Sequence, residues 1–128
     1  MIVRALVALL VGAVLSLSPA RAAPPSTELP WQSWNDDLFA RAQRENKFVL
    51  LSLQSWWCPW CHTMNEETFT DPKVRAYIDG HYIPVRVDQD SRPDISQRYE
   101  RWGWPATVLF GPDGTEIVKL RGFYSAEF

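Results

Sequence analysis

Apolar and polar positions divide the chain into short segments that alternate between strand-like and helix-like patterns. The run from Phe48 to Leu53 is almost wholly apolar, which predicts a strand buried on both faces. Tyr82 to Val87 predicts a second strand. Ala106 to Phe110 and Glu116 to Leu120 predict a hairpin, because the turn sequence Gly111-Pro112-Asp113-Gly114 joins them.

Helical patterns occupy the intervals between these strands. Ser33, with Asp36 three residues later, is expected to cap a first helix that ends near Asn46. Three further helical segments are predicted, from Cys58 to about Phe69, from Asp71 to about Ile78, and from Arg92 to Trp102. Parallel strands connected by helices and followed by an antiparallel hairpin predict an α/β fold with a mixed central sheet and helices on both faces.

The first 22 residues have the pattern of a secretory signal peptide. Arg4 precedes an apolar stretch from Ala5 to Leu17, and small residues lead to a cleavage site after Ala22. An uncleaved anchor is the alternative, but the stretch is shorter than the ~20 residues that span a bilayer. The sequence therefore predicts a periplasmic or secreted protein without stable membrane insertion, with a linker over residues 23–30 and one domain over residues 31–128.

Composition narrows the classes of function. A chain of 128 residues allows one domain. The formal net charge is −2 and no lysine- or arginine-rich run occurs, so a nucleic-acid role has no electrostatic basis. Two cysteines exclude a scaffold of several disulfides.

The sequence Cys58-Pro59-Trp60-Cys61 lies where a buried strand gives way to a helix. A cysteine at a helix N-terminus is expected to form a thiolate readily, with a pKa below the free value of about 8.5. A second cysteine one turn later can resolve a mixed disulfide. We therefore expect Cys58 to attack and Cys61 to resolve. A purely structural disulfide is less consistent, because so short a loop adds little stabilisation.

The surroundings of the cysteines resemble the thioredoxin superfamily. Trp57 directly precedes Cys58, and Gly103-Trp104-Pro105-Ala106-Thr107 leads into the strand that begins the hairpin. The resemblance implies that Pro105 is cis and lies against the cysteine pair. It also implies a substrate-binding surface, for which the candidates are Trp57, Pro59, Trp60, Trp104 and Pro105.

Further motifs are similar to the thioredoxin-like domain of the spermatogenesis-associated, thioredoxin-domain proteins and their bacterial relatives. They are Cys58-x-Trp60-Cys61-His62-x-Met64, Glu67-Thr68-Phe69-x-Asp71, Val87-Asp88 and Arg92-Pro93-Asp94-Ile95. Such relatives often carry a large helical domain afterwards. Common thioredoxins have a buried Asp six residues before the first cysteine, where this chain has Ser52, so proton transfer to Cys61 needs another group or water.

Several polar and aromatic residues near the motif allow more than one interpretation. His62 is either a modulator that stabilises a thiolate or a surface histidine, and Glu67 is either a proton carrier or a solvated residue. The loop with Asp88, Asp90, Arg92 and Asp94 is expected to be fixed by ion pairs rather than to bind metal. Candidates for an apolar collar that binds substrates are Trp56, Trp57, Trp60, Trp102 and Trp104, and several of these five are expected to belong to the core instead.

The sequence thus predicts an exported thiol–disulfide oxidoreductase without cofactor or metal, acting on protein thiols and disulfides together with a redox partner protein. One alternative is a thioredoxin-fold module that binds peptides without turnover. A second is a c-type haem protein, since Cys58-x-x-Cys61-His62 is also a haem attachment motif, for which His81 would have to supply the opposite ligand. A zinc site from the same four residues lacks the usual ligand spacing.

The end of the chain suggests truncation of the domain. Ser125 has the character of a helix cap, but only three residues follow it. A C-terminal helix covering one sheet face is therefore expected to be missing. In that case apolar side chains on the uncovered face should be exposed, with Val49, Leu51, Val108, Phe110 and Val118 as candidates.

Overall fold

A computed structural model of the protein describes residues 26–128. A four-stranded sheet forms its centre, with the order β2-β1-β3-β4. Strand β1 runs parallel to β2 and antiparallel to β3, and β4 pairs antiparallel with β3. The expected mixed sheet is thereby confirmed. The strands are β1 Phe48–Gln54, β2 Tyr82–Asp88, β3 Ala106–Phe110 and β4 Glu116–Arg121.

Helices cover both faces of this sheet, and local sequence explains where several of them begin and end. The Asp71 side chain caps a helix by accepting hydrogen bonds from the backbone N–H groups of Lys73 and Val74. Asn46 ends another in the left-handed conformation, with φ 50°. The α-helices are α1 Leu38–Glu45, α2 Pro59–Thr63, α3 Pro72–His81 and α4 Pro93–Ser96; a π-helix, Met64–Thr68, continues α2, and a 3-10 helix, Gln97–Trp102, continues α4.

The first helix begins four residues later than the sequence predicts, with its N-cap at Asp37 instead of Ser33. The backbone of Gln32 is hydrogen-bonded to the outer edge of β2, through Pro84 O and the N–H of Arg86. This pairing holds the chain extended just before Ser33, so Ser33 does not cap α1. Asp37 takes the N-cap position without a side-chain hydrogen bond. Leu29, within the predicted linker, is buried against the domain.

The larger core lies between the sheet and the pair α1 and α4. Val49 and Leu51 of β1 face this core together with Phe110 and Val108, their register partners on β3. All four side chains are buried, so the expectation that they are exposed is wrong. Alternate strand residues point to opposite faces, and these four point toward α1 and α4.

A second core lies on the opposite face, under the π-helix and α3. Its buried members are Leu29, Leu50, Met64, Phe69 and Ile78. Val118 of β4 lies on this face, opposite Leu109, and its side chain is 37% exposed. Of the five apolar residues that were expected to be exposed, Val118 is therefore the one that is. Ser125 begins no helix, and the segment after β4 ends in a turn.

The predicted signal peptide, residues 1–22, lies outside the described residues. Over residues 26–128, none of the helices combines the length and the apolar character needed to cross a bilayer.

A fully buried and a partly exposed strand position should respond differently to truncation of the side chain. We expect Leu51→Ala to lower the free energy of unfolding by about 2–5 kcal/mol, because it opens a cavity in a fully buried site. Val118→Ala, on the partly exposed face, should cost less than about 1 kcal/mol. Urea denaturation of both variants measures the difference. Similar losses in the two variants would contradict the assignment of the core.

Candidate active site

The two cysteines occupy the turn between β1 and α2. Cys58 is the N-cap of α2, and its sulfur accepts a hydrogen bond from the backbone N–H of Cys61 at 3.2 Å. A disulfide bond joins the pair, with the Cα atoms 5.3 Å apart. This confirms that the sulfurs can reach bonding distance. Both are buried in this state, Cys58 being 4% and Cys61 1% exposed.

An apolar groove opens beside the cysteines. The Trp104–Pro105 peptide bond is cis, as expected. Trp60 and Phe123 line the groove, and their ring centroids are 5.5 Å apart. The ring centroids of Trp57 and Trp104 are 6.3 Å apart. The groove has a volume of about 250 Å³ and is lined by Trp60, Trp104, Pro105, Gly122 and Phe123. Of the other two predicted binding residues, Trp57 is half exposed and Pro59 is exposed in the first turn of α2.

Two groove residues, Gly122 and Phe123, were not predicted from the sequence. Gly122 donates a hydrogen bond from its backbone N–H to Pro105 O at 2.8 Å, which holds the segment after β4 beside the proline loop. Its φ of 84° favours glycine. The glycine after the last strand was the one sequence signal available, but it did not indicate what the turn contacts.

A network of neutral polar groups links β1 to the helix that carries Cys61. The amide of Gln54 donates to Asn65 Oδ1 and accepts from Asn65 Nδ2, both at 2.8 Å. Gln54 Nε2 also donates to Ser52 Oγ at 2.9 Å. Ser52 is fully buried. At the position where common thioredoxins have a carboxylate, this chain therefore has a hydroxyl that accepts a hydrogen bond from Gln54. Neither Gln54 nor Asn65 was predicted as a site residue, and a glutamine at the end of a buried strand was the only indication in the sequence.

The network continues to the edge of the domain through Arg86. Its guanidinium donates to Asn65 Oδ1 at 3.3 Å, pairs with Glu28 at 3.3 Å, and stacks over the ring of Trp31 at 4.2 Å. Burial lowers the pKa of Arg86, and the contact with Glu28 opposes that shift. Arg86 thus joins the N-terminal segment, β2 and the π-helix.

The acidic loop after β2 holds the chain just before Cys58. Asp88 Oδ2 accepts the backbone N–H of Trp56, and Asp90 Oδ2 accepts its indole N–H, both at 3.0 Å. The expected ion pairing occurs between Arg92 and Asp94 at 2.8 Å. Among residues 26–128, Asp88 and Asp90 form no ion pair, so for these two the expectation is wrong: they bind the N–H groups of Trp56 instead.

His62 also contacts Trp56. Its Nε2 lies 2.7 Å from the Trp56 carbonyl oxygen. A carbonyl oxygen can only accept a hydrogen bond, so Nε2 carries a hydrogen atom and is the donor. This hydrogen bond spans the turn that contains both cysteines. Glu67, the other candidate modulator, is exposed on the π-helix.

The placement of His81 is inconsistent with the haem and zinc alternatives. His81 ends α3 directly before β2, whereas Cys58 follows the end of β1. Since the two strands are parallel and in register from Phe48 and Tyr82, the histidine and the cysteines lie at opposite ends of the sheet, about 20 Å apart. His81 Nδ1 contacts Tyr77 O at 2.8 Å, and its ring stacks on that tyrosine.

The amide pair should contribute measurably to stability. Asn65→Ala leaves the buried Gln54 amide without its partner, which we expect to lower the free energy of unfolding by about 1–3 kcal/mol. Gln43→Ala, at an exposed amide of α1, is the control and should change it by less than about 0.5 kcal/mol. Chemical denaturation of the disulfide-bonded proteins gives both values. An Asn65 variant as stable as the control would show that the pair contributes little.

The chain is similar in sequence to two groups of curated proteins. Human spermatogenesis-associated protein 20 is 32% identical over 91 residues, which cover 65% of this chain and 12% of that protein. The thiol:disulfide interchange protein DsbD 1 of Pseudomonas aeruginosa is 33% identical over 115 residues, covering 83% of this chain and 19% of that protein. The chain therefore spans less than a fifth of the length of either relative.

A solved structure and a family model agree with the thioredoxin-like fold that the sequence motifs indicate. The solved structure of a DsbH oxidoreductase superposes with a TM-score of 0.64 at 17% identity, covering 83% of this chain and 85% of that one. Residues 18–127 match the family model Thioredox_DsbH, described as a protein of unknown function, DUF255. The fold is that of thioredoxin-like and DsbD-like disulfide oxidoreductases with a CxxC pair, and the chain belongs to the Thioredox_DsbH family.

Proposed function

We propose that the protein is an exported thiol–disulfide oxidoreductase that exchanges disulfides with protein substrates through Cys58 and Cys61. The observation that carries the proposal is the disulfide between these residues at the start of α2, next to an apolar groove. Export rests on the sequence of residues 1–22. A protein that supplies or removes electrons completes the cycle.

The exchange begins with the Cys58 thiolate. The backbone N–H of Cys61, which donates to the Cys58 sulfur at 3.2 Å, can stabilise its negative charge. The thiolate attacks one sulfur of a substrate disulfide, a Cys58–substrate bond forms, and the other substrate sulfur leaves as a thiolate that takes up a proton. The product of this step is a mixed disulfide.

Cys61 then resolves the intermediate. After losing its proton to water, its thiolate attacks the Cys58 sulfur, the Cys58–Cys61 disulfide forms, and the second substrate thiolate leaves. Two electrons have passed from the cysteine pair to the substrate. The same steps in reverse oxidise a dithiol substrate, and the reduction potential relative to the partner sets the direction.

The groove is suited to hold the substrate chain near the reacting sulfurs. The aromatic side chains that line the groove together with Pro105 provide apolar contact area. Trp60 belongs to the CxxC turn itself, so a peptide that contacts its ring lies close to Cys58 and Cys61. We assign Trp57, Pro59, Trp60, Trp104, Pro105 and Phe123 to this substrate-binding surface.

Single cysteine variants test the proposed roles. In dithiothreitol-driven reduction of insulin, Cys58→Ala should lower the rate to that of dithiothreitol alone, because no mixed disulfide can form. Cys61→Ala, reduced beforehand and incubated with insulin after the dithiothreitol has been removed, should accumulate a Cys58–insulin adduct that is visible by mass spectrometry, because no second thiol resolves it. In the reduced parent protein, pH-dependent alkylation should modify Cys58 first, with a pKa below about 8.5.

Two results would contradict these roles. Full activity of the Cys58 variant would remove Cys58 as the nucleophile. Absence of both turnover and adduct in every form, with peptide binding retained, would favour a binding module without turnover.

Removing an aromatic wall of the groove should weaken substrate binding. Phe123→Ala should lower kcat/KM for a peptide disulfide about fivefold, which corresponds to about 1 kcal/mol of lost apolar contact. The rate with a small aromatic disulfide that does not fill the groove should change little. Ile117→Ala removes an exposed apolar side chain from the far end of β4 and serves as the matched control. Equal effects of the two substitutions would exclude a specific role for the groove.

A further inference from the structure

Trp56 is a large apolar side chain that is exposed and yet held in one orientation. It is 71% exposed. Its indole N–H, backbone N–H and carbonyl oxygen are all hydrogen-bonded, to Asp90, Asp88 and His62 respectively. The two backbone hydrogen bonds fix the position from which the side chain extends, and the bond to Asp90 fixes the ring itself, so the indole has little freedom to collapse onto the protein. A solvent-facing indole that is fixed in this way is already oriented for binding before a partner arrives.

The carboxylates that hold Trp56 have no cationic partner of their own. Within residues 26–128 neither Asp88 nor Asp90 forms an ion pair. Arg86 and Arg92, the basic residues nearest in sequence, are each paired with another carboxylate. Two carboxylates without a cationic partner therefore lie next to Trp56, and that of Asp90 contacts its exposed ring.

These two features favour a positively charged ligand group. The face of an indole attracts a cation through its π electrons, and tryptophan is the strongest such ring in proteins. Donation of the indole N–H to the Asp90 carboxylate makes the ring more electron-rich. A lysine or arginine placed over the ring also lies close to that carboxylate, so both attractions act on the same charge.

We propose that Trp56 is a specificity-determining contact, and that its indole binds a lysine or arginine side chain near the reacting disulfide of the partner polypeptide. The proposal rests on the proposed function, because the partner is the polypeptide whose disulfide Cys58 attacks. Trp56 lies two residues before Cys58 in the chain. It is not one of the residues that line the groove, among which are Trp60, Trp104 and Phe123. Asp88 and His62 are positioning residues that act through Trp56, whereas Asp90 both orients the ring and attracts the bound cation through its charge.

The test compares two peptide disulfides that differ only in a lysine or a glutamine beside the reacting cysteine. The parent protein should prefer the lysine peptide in kcat/KM by about two- to fivefold, the range of an exposed cation–π contact. The preference should shrink at high salt, where exposed charges are screened. Trp56→Ala should bring the ratio of the two rates close to one. Trp56→Phe should give an intermediate ratio, because it keeps an aromatic face but loses the bond to Asp90.

Charge variants separate the carboxylates from general electrostatics. Asp90→Asn keeps an oxygen that can accept the indole N–H but removes the charge, so the lysine preference should fall. Asp79→Asn makes the same change of net charge near the end of α3, away from the cysteines, and should leave the preference as in the parent. An equal effect of both variants would overturn the proposal, as would a parent ratio of one.

The experiment also distinguishes this proposal from the proposed function. The glutamine peptide reports exchange through the cysteines alone, so its failure to react would count against the oxidoreductase activity. Dissociation constants of the same peptides with serine in place of cysteine, measured by calorimetry on the disulfide-bonded protein, report Trp56 without any exchange. Equal affinities of the lysine and glutamine peptides would overturn the inference even if turnover is normal.

Discussion

The burial of β1 is the constraint on which the rest of the structure depends. This strand pairs with β2 on one edge and with β3 on the other, and it packs against a core on each face. Its backbone N–H and C=O groups therefore form hydrogen bonds with neighbouring strands on both sides. Because its side chains are buried on both faces, a shift of the strand register would misplace them. The turn with Cys58 begins where this strand ends, so the most constrained segment of the fold positions the cysteines.

The polar residues at the end of β1 extend that constraint into the active-site helix. Gln54 and Asn65 exchange two hydrogen bonds, and Arg86 joins them from β2. A reciprocal amide pair fixes both the distance and the orientation of its partners, whereas an apolar contact in the same place would permit sliding. The π-helix after Thr63 brings Asn65 to this position, which is consistent with the frequent use of π-helical turns near functional sites.

The seven tryptophans differ in what surrounds them rather than in sequence character. Trp34 and Trp102 pack against the larger core, and Trp31 lies under the Arg86 guanidinium and meets Phe69 edge to face. Trp60 and Trp104 line the groove, and Trp56 faces solvent while bound to the acidic loop. Of the five tryptophans considered for an apolar collar, Trp102 packs against the larger core, in line with the expectation that several of them are core residues. The remaining aromatic surface lies around the CxxC turn.

The sequence by itself determined the local features of this protein. The apolar run of β1, the Asp71-Pro72 helix start, the stop at Asn46 and the hairpin turn each depend on interactions between residues close in the chain, so their patterns identify them. The CxxC pair is similarly local, and its motif with Trp57 and the proline loop indicated the thioredoxin fold. The order of the helices and strands and the approximate position of most of them could therefore be predicted without knowledge of the packing.

Only the tertiary structure decided which residues meet across the chain. The Trp56–Asp90, Gln54–Asn65 and Gly122–Pro105 contacts join segments distant in sequence, and no local period encodes them. The pairing of Gln32 with β2 likewise displaced the start of α1 from Ser33. The face toward which Val49 and Leu51 point also depends on which helices cover that face, because alternation in a strand gives two equivalent choices until the helices are placed.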